Sequence, residues 1–226
     1  MQSIKEIFWN GLLREKLWKE NKYIVSYNRA QKKTIDFVKT LKKKEPRLWG
    51  TNYPESYNLF KVAQSCKKTK GMYAEVGVYS GETAKIIWHA KGERRFAIFD
   101  TFEGIPEVED IDKKEFEKGG WYASLENVKD FLKDCDEIEI VRGIFPESGK
   151  DYVGERFAFV HLDVDTYKST KGCLEFFYPR MNKGGVIVSH DYQLVEGVTK
   201  AFDEFFIDKP EVVLEISSTQ CAVVKL

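Results

Sequence analysis

From Gly71 onward, short runs rich in β-branched and aromatic residues alternate with stretches whose apolar residues fall three or four apart, and this alternation constrains the fold more than any other feature of the chain. The β-rich runs are MYAEVG, RRFAIFD, EIEIVRG, FAFVHLD and GGVIVSH, with EVVLEIS and CAVVKL closing the chain. Between them lie ETAKIIWHAK, SLENVKDFLKD, YKSTKGCLEFFYPRM and EGVTKAFDEFFID, long enough to serve as the crossovers of βαβ units. The pattern predicts an α/β fold. Its sheet is expected to be mostly parallel and covered on both faces, and its last strand, joined by a short turn, to run antiparallel. Ligands of such open sheets sit outside the carboxyl ends of the strands, so the residues that end each run are where chemistry is expected.

The first run ends in AEVGVYSGE. Gly77 and Gly81 suit a strand-to-helix turn where backbone N–H groups approach a ligand, but their G-x-x-x-G spacing is not that of a dinucleotide binder. Glu75 would repel a pyrophosphate. It would attract a cationic amino group, such as the methionine end of S-adenosylmethionine (SAM), or simply cap the turn. Asp100 ends the second run, 19 residues after Gly81, the interval expected of an acid that accepts hydrogen bonds from ribose hydroxyls; capping of the next turn is the alternative. Trp121, in GGWYASLENV, is a candidate cover for an adenine ring, with ordinary core or lid packing as the alternative.

The fourth run ends on His161, Asp163 and Asp165, and the fifth on His190 and Asp191. If those strands are neighbours, about 4.8 Å apart, Asp163 and Asp191 converge on one rim, where they repel unless a hard divalent cation lies between them. The competing reading makes the acids separate caps for the helices beginning near Tyr167 and after Tyr192, which suits Asp165 or Thr166. Strand alternation points His161 to the same side as Asp163, but a lone buried histidine is usually a satisfied core group.

Ahead of this region the chain is different. Residues 1–70 hold 17 Lys or Arg against 6 Asp or Glu, so a net +11 precedes a net −11 in a chain of zero formal charge. Ile4, Ile7, Phe8, Leu12, Leu13 and Leu17, and then Ile35, Val38 and Leu41, recur at helical spacing, with Pro46 as the stop; a further helix is expected from Glu55. Residues 1–70 are therefore expected to form a helical appendage to a domain spanning 71–226. Its basic face either binds an anionic partner such as nucleic acid or docks on an acidic body, in the same chain or a second subunit of a homo-oligomer; no RNA-binding signature is present. The four cysteines lack C-x-x-C spacing and are expected to be reduced. No membrane span or signal peptide is apparent, so a cytoplasmic protein without a membrane partner is expected.

Taken together, EVGVYSGETAKI, FDTFEGIP, VRGIFPES and FVHLDVDTYKSTKGCLEFFYPRMNKGGVIVSHDY resemble the macrocin O-methyltransferase (TylF-like) family, SAM-dependent enzymes that methylate sugar hydroxyls on natural products. The resemblance runs from about Tyr73 to Leu226. It implies the class I methyltransferase sheet, SAM as cofactor, a small-molecule hydroxyl acceptor and a magnesium ion. The ion would be held by Asp163 and by the positions of His190 and Asp191, and Asp165 would be a general base. His190 stands where many relatives carry the first acid of an Asp-Asp pair, so it is a candidate either for the metal or for the base, and the metal's identity stays open. Two further readings are a catechol-type methyltransferase, and a SAM-binding or nucleic-acid-binding module without catalysis.

Overall fold

A computed structural model describes residues 29–44 and 50–226, and the contacts divide the chain into Met1–Phe37 and Val38–Leu226. The helix expected on Ile4 to Leu17 lies outside the described residues. Helix α1 (Arg29–Lys44) carries the Ile35 and Val38 pattern. Helix α2 (Tyr53–Ser65) starts two residues before Glu55, with Pro54 in its first turn and Asn52 as its cap. The Asn52 side chain accepts from the Glu55 N–H, and the Glu55 carboxylate accepts from the Asn52 N–H, a reciprocal capping box.

Seven strands follow: β1 (Met72–Val76), β2 (Phe96–Asp100), β3 (Ile138–Arg142), β4 (Phe157–Leu162), β5 (Met181–Ser189), β6 (Leu214–Ser217) and β7 (Gln220–Val224). They form one sheet in the order β3-β2-β1-β4-β5-β7-β6, parallel except for β7, which runs antiparallel to both β5 and β6. The α/β expectation holds, including the reversed last strand. Every residue of β1 and β4 is buried, as a sheet covered on both faces requires. The intervening helices are α3 (Glu82–Lys91), α4 (Leu125–Phe131), α5 (Tyr167–Phe177) and α6 (Glu196–Phe206).

Differences from the sequence reading have local causes. Helix α5 gives way at Phe177 to a three-residue 3₁₀ turn around Pro179, whose ring cannot continue the helix. Strand β6 begins at Leu214 rather than Glu211, whose buried carboxylate accepts from Tyr178 Oη, Lys225 Nζ and the Leu226 N–H. The core beneath the sheet is aromatic: Phe145 stacks on Phe177 at 5.0 Å, and Phe99 and Phe157 meet that pair edge-on. Helix α2 joins the body through Tyr73, whose hydroxyl donates to the Ala63 carbonyl at 2.6 Å. All four cysteines are free and buried. Among the described residues no helix is long and apolar enough to cross a membrane.

Asp112, in the long segment between β2 and α4, is wholly buried, and its carboxylate accepts from the Tyr167 N–H at the start of α5. Gly197, in the first turn of α6, lies against the same carboxylate: an added Cβ would meet Asp112 Oδ1 at 1.9 Å. One buried acid thus fixes the β2–α4 segment to the helices that follow β4 and β5.

Candidate active site

The strand order reverses between β1 and β4, the position where an open sheet presents a crevice. Ladder hydrogen bonds continue one residue past the strands: Gly77 N–H donates to Phe99 O at 3.0 Å, Asp163 N–H to Val76 O at 2.9 Å, and His190 N–H to Leu162 O at 2.9 Å. Gly77, Asp163 and His190 therefore stand side by side at the carboxyl edge. Gly77 has φ +83°, and an added Cβ would fall 1.8 Å from the Asp163 carbonyl oxygen. The glycine is required by the neighbouring strand, whatever it also offers a ligand.

The acids gather as the strand ends suggest. His190 Nδ1 is 3.0 Å from Asp191 Oδ1 and 3.4 Å from Asp163 Oδ1. One ligand atom from each of the three residues lies within 4.8 Å of the others, so the group has the donor set for a cation. The other ring nitrogen, Nε2, is 3.3 Å from Glu55 Oε2 and 3.4 Å from Thr219 Oγ1. Burial raises the Glu55 carboxyl pKa, but hydrogen bonds from His190 and the Asn52 N–H prevail and hold it down to about 2. Burial likewise opposes the charged form of Asp163, and the His190 ring outweighs it, so Asp163 sits below the usual carboxylate range. The same carboxylates raise the His190 pKa against burial. Asp165 behaves oppositely: burial, then the charges of Asp163 and Asp191, push its pKa well up.

A cavity of about 320 Å³ opens over these residues and extends along the β1 and β2 ends, large enough for a small-molecule ligand. Gly77, Asp100, Trp121, Asp163, Asp165, His190 and Asp191 all line it. Asp100 Oδ2 accepts from the Val78 and Tyr79 N–H groups at 2.7 and 3.1 Å, and Oδ1 from the Phe102 N–H at 2.7 Å. A carboxylate offers about four acceptor positions, so this clamp on two loops leaves room for a ligand hydroxyl. Both sequence readings of Asp100 are thus compatible with one carboxylate. Trp121, 57% exposed, meets Tyr79 edge-on at 5.5 Å. Tyr79, Trp121, Asp165 and Asp191 all line the cavity with φ between 46° and 63°, a region that side chains other than glycine rarely adopt.

Glu75 and Gly81 stand apart from the lining residues. Glu75 is fully buried, paired in register with His161, and its Oε1 lies 2.8 Å from His161 Nδ1. Gly81 caps α3 with φ +90° and faces Phe131 and Leu132. Two contributors went unread in the sequence. Tyr79 gave no signal beyond its place in the glycine turn, and Glu55 was hidden by the capping spacing Asn52-x-x-Glu55, which fully accounts for an acid at that position.

Residues 60–217 match the model of the family described as Macrocin-O-methyltransferase (TylF). Among curated proteins, 8-demethyl-8-(2,3-dimethoxy-alpha-L-rhamnosyl)-tetracenomycin-C 4'-O-methyltransferase of Streptomyces olivaceus is 28% identical over 178 residues, covering 66% of this chain and 68% of that protein. Demethyldecarbamoylnovobiocin O-methyltransferase of Streptomyces niveus is 24% identical over 151 residues, covering 60% and 58%. Among solved structures, the O-methyltransferase NovP superposes with a TM-score of 0.71 at 20% identity, over 86% of this chain and 99% of that one. The calicheamicin methyltransferase CalS11 gives 0.65 at 19% identity, over 88% and 94%.

Proposed function

Since this chain belongs to the macrocin O-methyltransferase (TylF) family, we propose that it transfers a methyl group from SAM to a hydroxyl of a sugar or sugar-bearing natural product, with a divalent cation at the acceptor side. The observation that carries the reading is the shared cavity: a nucleoside-suited face at Gly77, Asp100 and Trp121, and an acidic rim at Asp163, Asp165, His190 and Asp191. The rhamnosyl acceptor in the name of the Streptomyces olivaceus relative and the natural-product acceptor in that of the Streptomyces niveus relative support this acceptor class. The rim fits a cation chemically. Asp163, Asp191 and Glu55 surround one imidazole, so negative charge is in excess even when the ring is protonated.

SAM supplies an electrophilic methyl on a sulfonium, and a cation on the rim supplies positive charge that favours an ionised acceptor oxygen. The protein supplies the rest. Asp100 and Trp121 would hold the nucleoside end of SAM, and Asp163, His190 and Asp191 would hold the cation. Both nitrogens of His190 are engaged, Nδ1 with the two aspartates and Nε2 with Glu55, so Asp165 is the better-placed base. Asp165 would take the proton of the acceptor hydroxyl once a cation on the rim offsets the charges of Asp163 and Asp191 that raise its pKa. Holding donor and acceptor in one cavity would position the acceptor oxygen for transfer, a source of much of the rate.

The test is calorimetric titration with SAM followed by methyl-transfer assays on a panel of deoxysugar glycosides and catechols, with and without divalent ions. Transfer to glycosides that chelation abolishes is the expected result. Methylation confined to catechols would replace the acceptor class, and absence of SAM binding would end the reading.

A further inference from the structure

His190 is held at both ends of its ring, and the two ends differ. Nδ1 faces the Asp163 and Asp191 carboxylates; Nε2 faces the Glu55 carboxylate on α2. Glu55 is 4% exposed and cannot swing away, because its Oε2 also accepts from the Asn52 N–H at 2.7 Å and its Oε1 accepts from Thr219 Oγ1 at 3.2 Å. The β6–β7 turn adds a second tie, Asn52 Nδ2 donating to Ser218 Oγ at 3.0 Å. With a cation taking the place of the proton on the Nδ1 side, a fixed carboxylate at Nε2 would keep the remaining ring proton there and leave the Nδ1 lone pair to the ion, the arrangement in which histidine serves as a metal ligand.

We propose that Glu55 is a positioning residue that commits His190 Nδ1 to the cation site between Asp163 and Asp191, and that the resulting nitrogen-containing donor set selects a transition-metal dication of the manganese or cobalt class over magnesium. The proposal rests on the cation reading given under Proposed function and adds to it the selectivity and its source. Magnesium takes oxygen donors in preference to nitrogen, whereas transition-metal dications accept imidazole more readily, cobalt more strongly than manganese. Glu55 lies ahead of residues 60–217, outside the stretch that matches the family, so this control of the site comes from the α2 start of this chain.

The experiment is calorimetric titration of the full chain with Mn²⁺ alone and with Mg²⁺ alone, for the wild type, Glu55→Gln, Asn52→Ala and His190→Asp, with SAM affinity and the visible spectrum of the Co²⁺ form recorded alongside. Glutamine still completes the capping box, so Glu55→Gln removes charge rather than helix structure. Asn52→Ala weakens the cap and keeps the Glu55 carboxylate. The wild type is expected to bind Mn²⁺ at least about tenfold more tightly than Mg²⁺. Glu55→Gln is expected to lose about tenfold or more in Mn²⁺ affinity and to shift the Co²⁺ bands, while Asn52→Ala lowers thermal stability without shifting them. His190→Asp is expected to close the gap between the two ions.

Equal loss of Mn²⁺ affinity in Glu55→Gln and Asn52→Ala with unshifted bands would reduce Glu55 to a helix cap. Equal wild-type affinity for the two ions would remove the selectivity. Neither ion binding to a wild type that binds SAM would overturn the cation reading itself.

Discussion

The Cβ that Gly77 lacks would stand 1.8 Å from the carbonyl oxygen of Asp163. The turn after β1 and the acid after β4 therefore occupy one another's space, and neither can be placed independently.

Gly77→Ala is accordingly expected to cost about 3 kcal/mol, from the left-handed backbone and the collision together. Urea unfolding measures the stability and calorimetry the cation affinity. A stable variant with native Mn²⁺ affinity would show that the contact is not limiting.

Asp163→Ala separates the two faces of the cavity. It is expected to lower methyl transfer by about 10²-fold or more while leaving SAM affinity largely intact, because the proposed function assigns Asp163 to the cation and Asp100 and Trp121 to the nucleoside. Parallel loss of SAM binding would place Asp163 on the donor side instead.

Trp121→Ala tests the proposed nucleoside contact. The side chain is 57% exposed, so stability is expected to change by no more than about 0.5 kcal/mol. SAM affinity is expected to fall by about 1 kcal/mol or more with the lost stacking surface, read by calorimetry. An unchanged dissociation constant would assign Trp121 to another role.

Glu211 gives a pH signature away from the site. Burial raises its pKa, but hydrogen bonds from Lys225, Tyr178 and the Leu226 N–H win and hold it at about 2 against an ordinary 4.5. A folded-state pKa below the unfolded value stabilises above the unfolded one, so this contribution is present above pH 4.5 and is lost as pH falls towards 2. Glu211→Gln is expected to be less stable than wild type at neutral pH, with the difference shrinking through that window in thermal melts. A difference independent of pH would contradict the assignment.

Much of this organisation could be read from the sequence because it rests on local period. Strand and helix patterns placed α3 and β2 closely, and the acids ending β4 and β5 marked the rim once the strands were taken as neighbours. What escaped depended on distant packing. Glu55 reaches His190 across 135 positions, and its sequence context explains it fully as a cap. The buried Glu75–His161 pair arises from the register of β1 against β4, which no single run encodes. Asp112 sits in an irregular loop without period, and only the meeting of α5 and α6 gives it a partner.

That loop acid has a mechanical consequence. Trp121 belongs to the segment that Asp112 fastens, and the Asp163–Asp165 stretch leads directly into the helix it is fastened to. Lifting that segment would withdraw the Asp112 carboxylate from the Tyr167 N–H and leave that donor without its partner at the start of α5, so the stretch carrying Trp121 and the Asp163–Asp165 turn are tied at one point.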